Sequence, residues 1–456
     1  MPAKAAGDVA SSAPGFADGS RSPGRENKRF GAVSTPCTAK RRTVVEKSGK
    51  SRQFKGSDTL AVHAGRFPAI ENIPSSPALY QASSYEFEDL DDVEAIYGGT
   101  RPGAIYGRYG GPNALHFESA IAELESAEAA VGAASGMAAI GAALATSLEP
   151  GQPIIAAAGL YGGTLALLEN DFQLRGNRTI FAQIPGDFGE LEALFERERA
   201  PLLYVEAASN PLVRIPDLPR LIRLAHTYGA VVVVDATFVT PVLGKPLEWG
   251  ADLVLHSVGK YLGGHGDVGA GVVAGERARI DRLRAYLIRN GATLPHFEAW
   301  LALRGMRTLA LRMARHAANA SAVAAYLAGV PAVARVHHPS RPDHPEHDLA
   351  ARLYPGGTGG IVAFDLHGTR ETVAAFVRGL ETIAIVHSLG EVATTLSYPA
   401  VSSHRSLTPA ARAALGVGET TLRLSCGIED ARDLIADLDA AFAGLSQTVP
   451  ATEVPV

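Results

Sequence analysis

Lys260 is the residue in this chain best placed to act as a nucleophile. The run Ala251-Asp-Leu-Val-Leu-His256 reads as an apolar strand that stops at His256, and the turn Ser257-Val-Gly-Lys260, followed by Tyr261-Leu-Gly-Gly264, presents the amine. Beside an apolar strand with little room for water the ammonium is disfavoured, so the amine can serve as a base or a Schiff-base nucleophile near neutral pH. An ordinary surface lysine after a strand is the alternative. A phosphate-binding loop fails on spacing, because Val254 stands where the first glycine belongs and Tyr261 where a Ser or Thr would hold magnesium.

Other residues add chemistry. Val231-Val-Val-Val-Asp235 is a buried-type strand ending in a carboxylate. Burying a carboxylate is costly unless it is paired, and a protonated pyridine nitrogen such as that of pyridoxal phosphate (PLP) is one strong partner. A magnesium-binding or structural aspartate is the other reading. Ser135-Gly-Met137 opens a helix whose free N–H groups suit phosphate oxygens. Tyr161-Gly-Gly offers a ring to lie flat over a heterocycle, and Asn210 offers an amide to a ring hydroxyl. Arg423 suits bidentate capture of a substrate carboxylate, against the plainer reading of a surface salt bridge. Tyr106 and Arg108, two apart, share one side of an extended segment and suit a phosphate; the alternative is a packing tyrosine beside a solvated arginine.

The elements that position these residues alternate. Apolar runs at 152–157, 179–184, 202–206, 231–235, 253–256 and 269–274 are separated by helical stretches such as 114–127 and 218–228. That predicts an α/β fold with a mostly parallel sheet covered on both faces, ligands gathering at the carboxyl ends of the strands, where Glu206, Asp235 and His256 lie. A smaller C-terminal α/β unit follows, with helices at 311–327, 371–380 and 431–443 and strands at 360–366 and 422–425. The expected organisation is a disordered basic tail over 1–56, an arm over 57–112 rich in Tyr and Gly that wraps another surface, a large domain over 113–310 and a small domain over 311–456. The tail carries twelve Lys/Arg against four Asp/Glu, so the rest of the chain is acidic. An organelle transit peptide is its functional alternative.

With 456 residues, net charge −5 and 46% hydrophobic residues, the chain is long enough for two or three cores and too mildly charged to expect nucleic acid as a partner. Two cysteines, Cys37 and Cys426, exclude a disulfide framework and suit a cytoplasmic setting. The uncharged stretch 129–148 has the length of a membrane span, but its Ala, Gly and Ser content reads as a strand, a turn and a helix, so no membrane partner is expected. The run His337-His-Pro-Ser-Arg-Pro-Asp-His344, with His347, has no defensible metal spacing and reads as a solvated loop; no metal is expected.

Taken in order, Tyr106-Gly-Arg108, Ser135-Gly-Met137, Tyr161-Gly-Gly, Ser209-Asn-Pro211, Asp235-Ala-Thr237, His256-Ser-Val-Gly-Lys260, Ser388-Leu-Gly390 and Arg423-Leu-Ser-Cys-Gly-Ile-Glu429 resemble the Cys/Met-metabolism family of PLP enzymes. That family includes cystathionine γ-lyase, cystathionine γ-synthase, methionine γ-lyase and homoserine-ester sulfhydrylases. The resemblance covers roughly residues 57–445. It implies an aspartate-aminotransferase-type fold (fold type I), a homotetramer built as a dimer of dimers with active sites shared between subunits, and a small amino-acid substrate. It also implies residue roles. Lys260 holds PLP as an imine and shuttles protons, and Asp235 pairs with the ring nitrogen. Tyr161 stacks on the ring and assists the leaving group, and Asn210 bonds the ring hydroxyl. Gly136, Met137 and Ser257 hold the phosphate, with Tyr106 and Arg108 reaching the phosphate of the neighbouring subunit. Arg423 and Ser388 hold the substrate carboxylate.

The implied reaction is γ-elimination of a heteroatom group, sulfur foremost, to a 2-oxo acid and ammonia. The alternative is γ-replacement on an activated homoserine; a non-catalytic binding protein of the same fold is a third reading, opposed by the complete set Lys260, Asp235 and Arg423. Three positions depart from the family pattern. Gly259 stands where Thr usually precedes the lysine, Gly163 where methionine γ-lyases carry Cys, and Ala393 where many cystathionine-handling members carry Glu. The run Gly264-His-Gly-Asp267 leans toward the methionine γ-lyases.

Overall fold

Seven apolar runs build the larger sheet: β1 Ala129–Ala133, β2 Ile154–Ala157, β3 Thr179–Ala182, β4 Leu202–Glu206, β5 Val231–Asp235, β6 Leu253–Ser257 and β7 Gly271–Gly275. They lie in the order β1-β7-β6-β5-β4-β2-β3. The computed structural model describes residues 56–63, 75–405 and 407–448 together with the strands Val44–Val45 and Ser51–Arg52, which pair antiparallel. Apart from those strands and Gly56, the 1–56 segment, and with it the expectation of a disordered tail or transit peptide, lies outside the described residues.

The sheet is parallel from β3 to β6, and β7 alone runs against its neighbours β6 and β1. Parallel neighbours need a crossover, usually a helix. The connection from β6 to β7 carries none, so β7 returns antiparallel. The central strands are continuous apolar runs because helices bury both faces. One such helix, Leu218–Thr227, starts at Asp217, whose Oδ1 accepts from the Arg220 N–H, and buries Leu218, Leu221, Ile222 and Ala225. The stretch 129–148 is the expected strand, turn and helix: β1, then Gly136–Ser147 capped by the Ser135 hydroxyl. No helix among the described residues is long and apolar enough to cross a membrane.

The smaller sheet has five strands, β8 Val333–His337, β9 Ile361–Leu366, β10 Ala384–Ile385, β11 Thr395–Ser397 and β12 Thr421–Ser425, in the order β8-β9-β12-β11-β10. It packs a second core in which Phe364 meets Phe376 edge-to-face and Phe376 meets Phe442 at a tilt. The helix Leu309–Leu327 links the two sheets, so residue 310 falls within its first turn.

The 337–347 run is only in part the expected solvated loop: Ser340, Pro342, Asp343 and Pro345 are exposed, but His337, His338 and His344 are buried, and His337, the last residue of β8, bonds the Asp365 carboxylate at 2.8 Å. No group of three or more metal-ligating side chains occurs among the described residues.

Phe364 is fully buried, with its ring centroid 5.9 Å from that of Phe376. Phe364→Ala is expected to cost ~3–5 kcal/mol in urea unfolding followed by circular dichroism. A loss below ~1 kcal/mol would place the core elsewhere.

Candidate active site

The parallel strands deliver their carboxyl ends to one edge. In register, Glu206 ends β4 directly beside Asp235, which ends β5, and Asp235 lies beside Leu255 of β6. The Asp235 carboxylate accepts from the Thr237 N–H at 2.9 Å and lies 3.4 Å from the Tyr204 hydroxyl, both neutral donors. Burial raises its pKa. Burial, and then the Asp235 charge next to it, push the Glu206 carboxyl up to about 8. Glu206 Oε1 accepts from the Tyr161 N–H at 2.7 Å, tying the segment after β2 to the end of β4.

β6 runs one residue further than expected, to Ser257, whose N–H donates to Thr237 Oγ1 at 2.9 Å. Lys260 follows in the turn, and its Nζ donates to Ser388 Oγ at 3.1 Å. Burial lowers its pKa, the Arg423 charge lowers it further, and Glu391 opposes them. The turn is held from behind. Gly264 adopts φ +73°. Buried Arg312, from the helix Leu309–Leu327, donates to the carbonyls of Tyr261, Leu262 and Gly305 at 2.6, 3.3 and 2.8 Å. The Tyr261 hydroxyl accepts from Gly360 N–H at 2.9 Å, pinning the turn to the start of β9.

Arg423 lies on β12, the central strand of the smaller sheet. Period-two alternation sends Leu422 and Leu424 into the core and Arg423 out of the other face. It is 5% exposed and makes no surface salt bridge. It donates to Asn210 Oδ1 at 3.0 Å and to the Ser388 carbonyl at 2.9 Å. Its Nε has no partner, and burial lowers its pKa to about 10. An unpaired buried guanidinium N–H invites an anion.

The remaining candidates divide. Gly136 opens its helix so close to β6 that a Cβ there would lie 2.8 Å from Ser257 Oγ. Met137 is next in the chain, and its Sδ would lie 2.9 Å from a Cβ at Gly163. The Tyr161 ring is 46% exposed. The chain thus brings Lys260, Ser388, Arg423 and Asn210 into one hydrogen-bonded group, with Tyr161 bonded to Glu206 and Asp235 beside Glu206 in register. Tyr106 and Arg108 have their contacts elsewhere. Both are exposed, and Arg108 caps the Ile288 carbonyl at 3.3 Å and lies over the Tyr109 ring. Their segment is not extended as expected: Gly107–Tyr109 is a 3-10 turn, closed by Gly110 at φ +101°.

Two residues of this neighbourhood carried no role in the sequence reading. Glu206 ends an apolar strand just as Asp235 does, which is a detectable signal. Arg312 interrupts the apolar stripe of Leu309, Met313 and His316, and a lone cation on a buried stripe must find carbonyls.

Residues 58–443 match the family of Cys/Met metabolism PLP-dependent enzymes. The chain belongs to that family. It is 38% identical over 390 residues to an O-succinylhomoserine sulfhydrylase of Pseudomonas aeruginosa, a match covering 85% of this chain and 95% of the relative. It is 37% identical to an L-methionine gamma-lyase of Pseudomonas putida, with 86% and 98% covered. The crystal structure of a cystathionine gamma synthase from Xanthomonas oryzae pv. oryzae, in complex with aminoacrylate and cysteine, superposes with a TM-score of 0.82 at 35% identity, covering 87% of this chain and all of that one. The Cys/Met enzyme described here therefore has the expected fold type I architecture, and its cofactor is PLP. Its relatives act as lyases and as transferases, and the family alone does not choose between them.

The residues fit PLP. A partly buried carboxylate with neutral donors awaits a cation at Asp235, and small residues at Gly136 and Ser257 leave a helix N-terminus open.

Gly259, where family members usually carry Thr, has a structural reason here. A Cβ would lie 2.5 Å from the Val268 carbonyl oxygen. Gly259→Ala is expected to destabilise the protein by ~1–3 kcal/mol in thermal or urea unfolding. A neutral substitution would show that the turn accommodates a side chain.

Proposed function

We propose that this enzyme eliminates a heteroatom group, sulfur foremost, from the γ-carbon of an amino acid to give a 2-oxo acid and ammonia. The observation that carries the reading is the Lys260–Ser388–Arg423 chain of hydrogen bonds. It sets an amine of lowered pKa one serine away from a buried guanidinium with an unpaired N–H. An α-amino acid held through its carboxylate by Arg423 and Ser388 has its Cα hydrogen within the lysine's range.

PLP, when bound, supplies a cationic ring that accepts electrons from the substrate carbon. The chain does the rest. Lys260 would anchor the coenzyme through its amine and, once released, would take and return protons at the substrate carbon. Asp235 would keep the ring nitrogen protonated. Asn210, whose oxygen accepts from Arg423, would offer its NH2 to the ring hydroxyl. Gly136, Met137 and Ser257 would hold the phosphate. Tyr161 would cover the ring and protonate the departing group. Its side chain, 46% exposed, packs over Gly163, where a Cβ would lie 2.6 Å from the Tyr161 ring.

Replacement on an activated homoserine is the second reading, supported by the 38% identity to the O-succinylhomoserine sulfhydrylase. Tyr106 and Arg108, exposed and away from the Lys260 group in one chain, suit the phosphate of a neighbouring subunit. We accordingly assign residues 57–112 as an intersubunit arm on a large domain over 113–310 and a small domain over 311–456, in a cytoplasmic homotetramer with shared sites. The free, buried Cys426 is compatible with a reducing compartment.

The test is incubation with L-methionine, cystathionine and O-acetylhomoserine, with and without sulfide. A 2-oxo acid formed without added nucleophile is expected, and product only with sulfide would select the transferase. Arg423→Ala is expected to lower kcat/KM by ~1.5–3 kcal/mol, about ten- to a hundredfold. Unchanged kcat/KM would remove Arg423 from carboxylate binding.

A further inference from the structure

We propose that Glu206 is a positioning residue for this site: its carboxyl, beside Asp235 at the strand ends, fixes the Tyr161 segment through the Tyr161 N–H. The proposal rests on the reading of Asp235 and Tyr161 as the two groups that hold the pyridine ring, one at its nitrogen and one over its face.

The geometry is that of a cross-link. β4 and β5 are parallel and in register, so Glu206 and Asp235 leave the sheet side by side on the same face. β2 pairs with β4 on the other side, and the chain leaving β2 returns over the strand ends as Tyr161. Glu206 Oε1 takes the Tyr161 N–H at 2.7 Å, and Tyr161 immediately precedes the short helix Gly162–Ala166. That N–H lies before the first helical turn and has no carbonyl of its own to bond. Glu206 therefore spans the distance between the carboxylate meant for the ring nitrogen and the aromatic ring meant for the ring face. Without it, Tyr161 is held by the chain on either side and by its contacts with Gly163 and Met137.

Charge decides which form of Glu206 can do this. Asp235 faces it from β5, and its negative charge disfavours a second one alongside. Tyr204, on β4 itself, directs its hydroxyl to Asp235 and is shifted upward first by burial and then by both carboxylates. His256 on β6 favours the charged form of Asp235, not of Glu206. Arg423 feels Tyr161 from the smaller sheet. With one negative charge to distribute, Asp235 keeps it, and a pyridinium opposite reinforces that choice. Glu206 then stays neutral, one oxygen accepting from Tyr161 and the other carrying the proton.

The folded-state value of about 8 lies above the ordinary 4.5, so the fold favours the protonated carboxyl. The stability contributed is complete below 4.5 and is lost as pH rises through 8. A pyridinium on Asp235 lessens the like-charge part, while burial, the larger cause, remains.

Two variants separate positioning from charge. Glu206→Gln keeps an acceptor for Tyr161 N–H and cannot ionise; Glu206→Ala removes the acceptor. In full-length, PLP-supplemented protein, E206Q is expected to turn over substrate like the unsubstituted enzyme at pH 7. Its melting temperature should gain on the unsubstituted enzyme between pH 5 and pH 8, the window between the ordinary 4.5 and the shifted value of about 8, and level off above it. E206A is expected to lose roughly ten- to a hundredfold in kcat and to release PLP faster on dilution, read from the coenzyme's visible absorbance. A melting-temperature gap between E206Q and the unsubstituted enzyme that stays constant over that window would overturn the charge assignment. An E206A with unchanged kcat and PLP release would overturn the positioning role. Should E206A fail to fold, loss of kcat in folded E206Q at pH 7 would overturn it instead. Failure of the unsubstituted chain to take up PLP is a different outcome: it removes the reading beneath the inference, and the inference with it.

Discussion

Two cations converge on one serine. The Lys260 amine donates to the Ser388 hydroxyl and the Arg423 guanidinium to the Ser388 carbonyl, in a cleft dry enough to lower the pKa of both. Neighbouring like charges with little water are unstable unless an anion joins them or one gives up its proton. Both remedies are what amino-acid chemistry requires. In the proposed mechanism a substrate carboxylate neutralises Arg423, and a deprotonated Lys260 is the nucleophile and base. Most of the remaining structure serves to keep these two groups together although they arise from different sheets.

The turn at Lys260 follows β6 of the larger sheet, while Arg423 and Ser388 belong to the smaller one. Three contacts hold the halves in place. Arg312, from the helix linking the sheets, ties the Tyr261 and Leu262 carbonyls; Tyr261 reaches the Gly360 N–H; and the Val392 N–H bonds the Gly264 carbonyl at 2.9 Å. A buried arginine bonded to three backbone carbonyls and to the Thr308 hydroxyl is a rigid brace, because each lost bond would leave part of a buried charge unpaired. Glycine is required at Gly390 for the same closeness: a Cβ there would lie 2.7 Å from the Tyr261 nitrogen.

Much of this was legible in the sequence because the informative residues end apolar runs. The run Val231–Asp235 and the turn at Lys260 declare both an element and a functional side chain, and alternation around Arg423 fixes which way it points. Other features take their meaning from distant neighbours. Glu206 becomes special only when the register sets it beside Asp235 and Tyr161 folds back over it. The histidine run looks like a hydrophilic loop until β8 carries His337 into the smaller sheet. Tyr106 and Arg108 read as extended until the Gly107–Tyr109 turn is seen, and Gly259 reads only as a departure from the family's Thr until the Val268 carbonyl is found where a Cβ would go.

The central claim is that the Lys260 amine is the one that anchors PLP. Treating the PLP-supplemented protein with borohydride, digesting it and mapping the pyridoxyl label by mass spectrometry tests that claim directly. The label is expected on Lys260, with Lys245 and the other lysines unmodified. A label distributed over surface lysines, or absent from Lys260, would contradict the account.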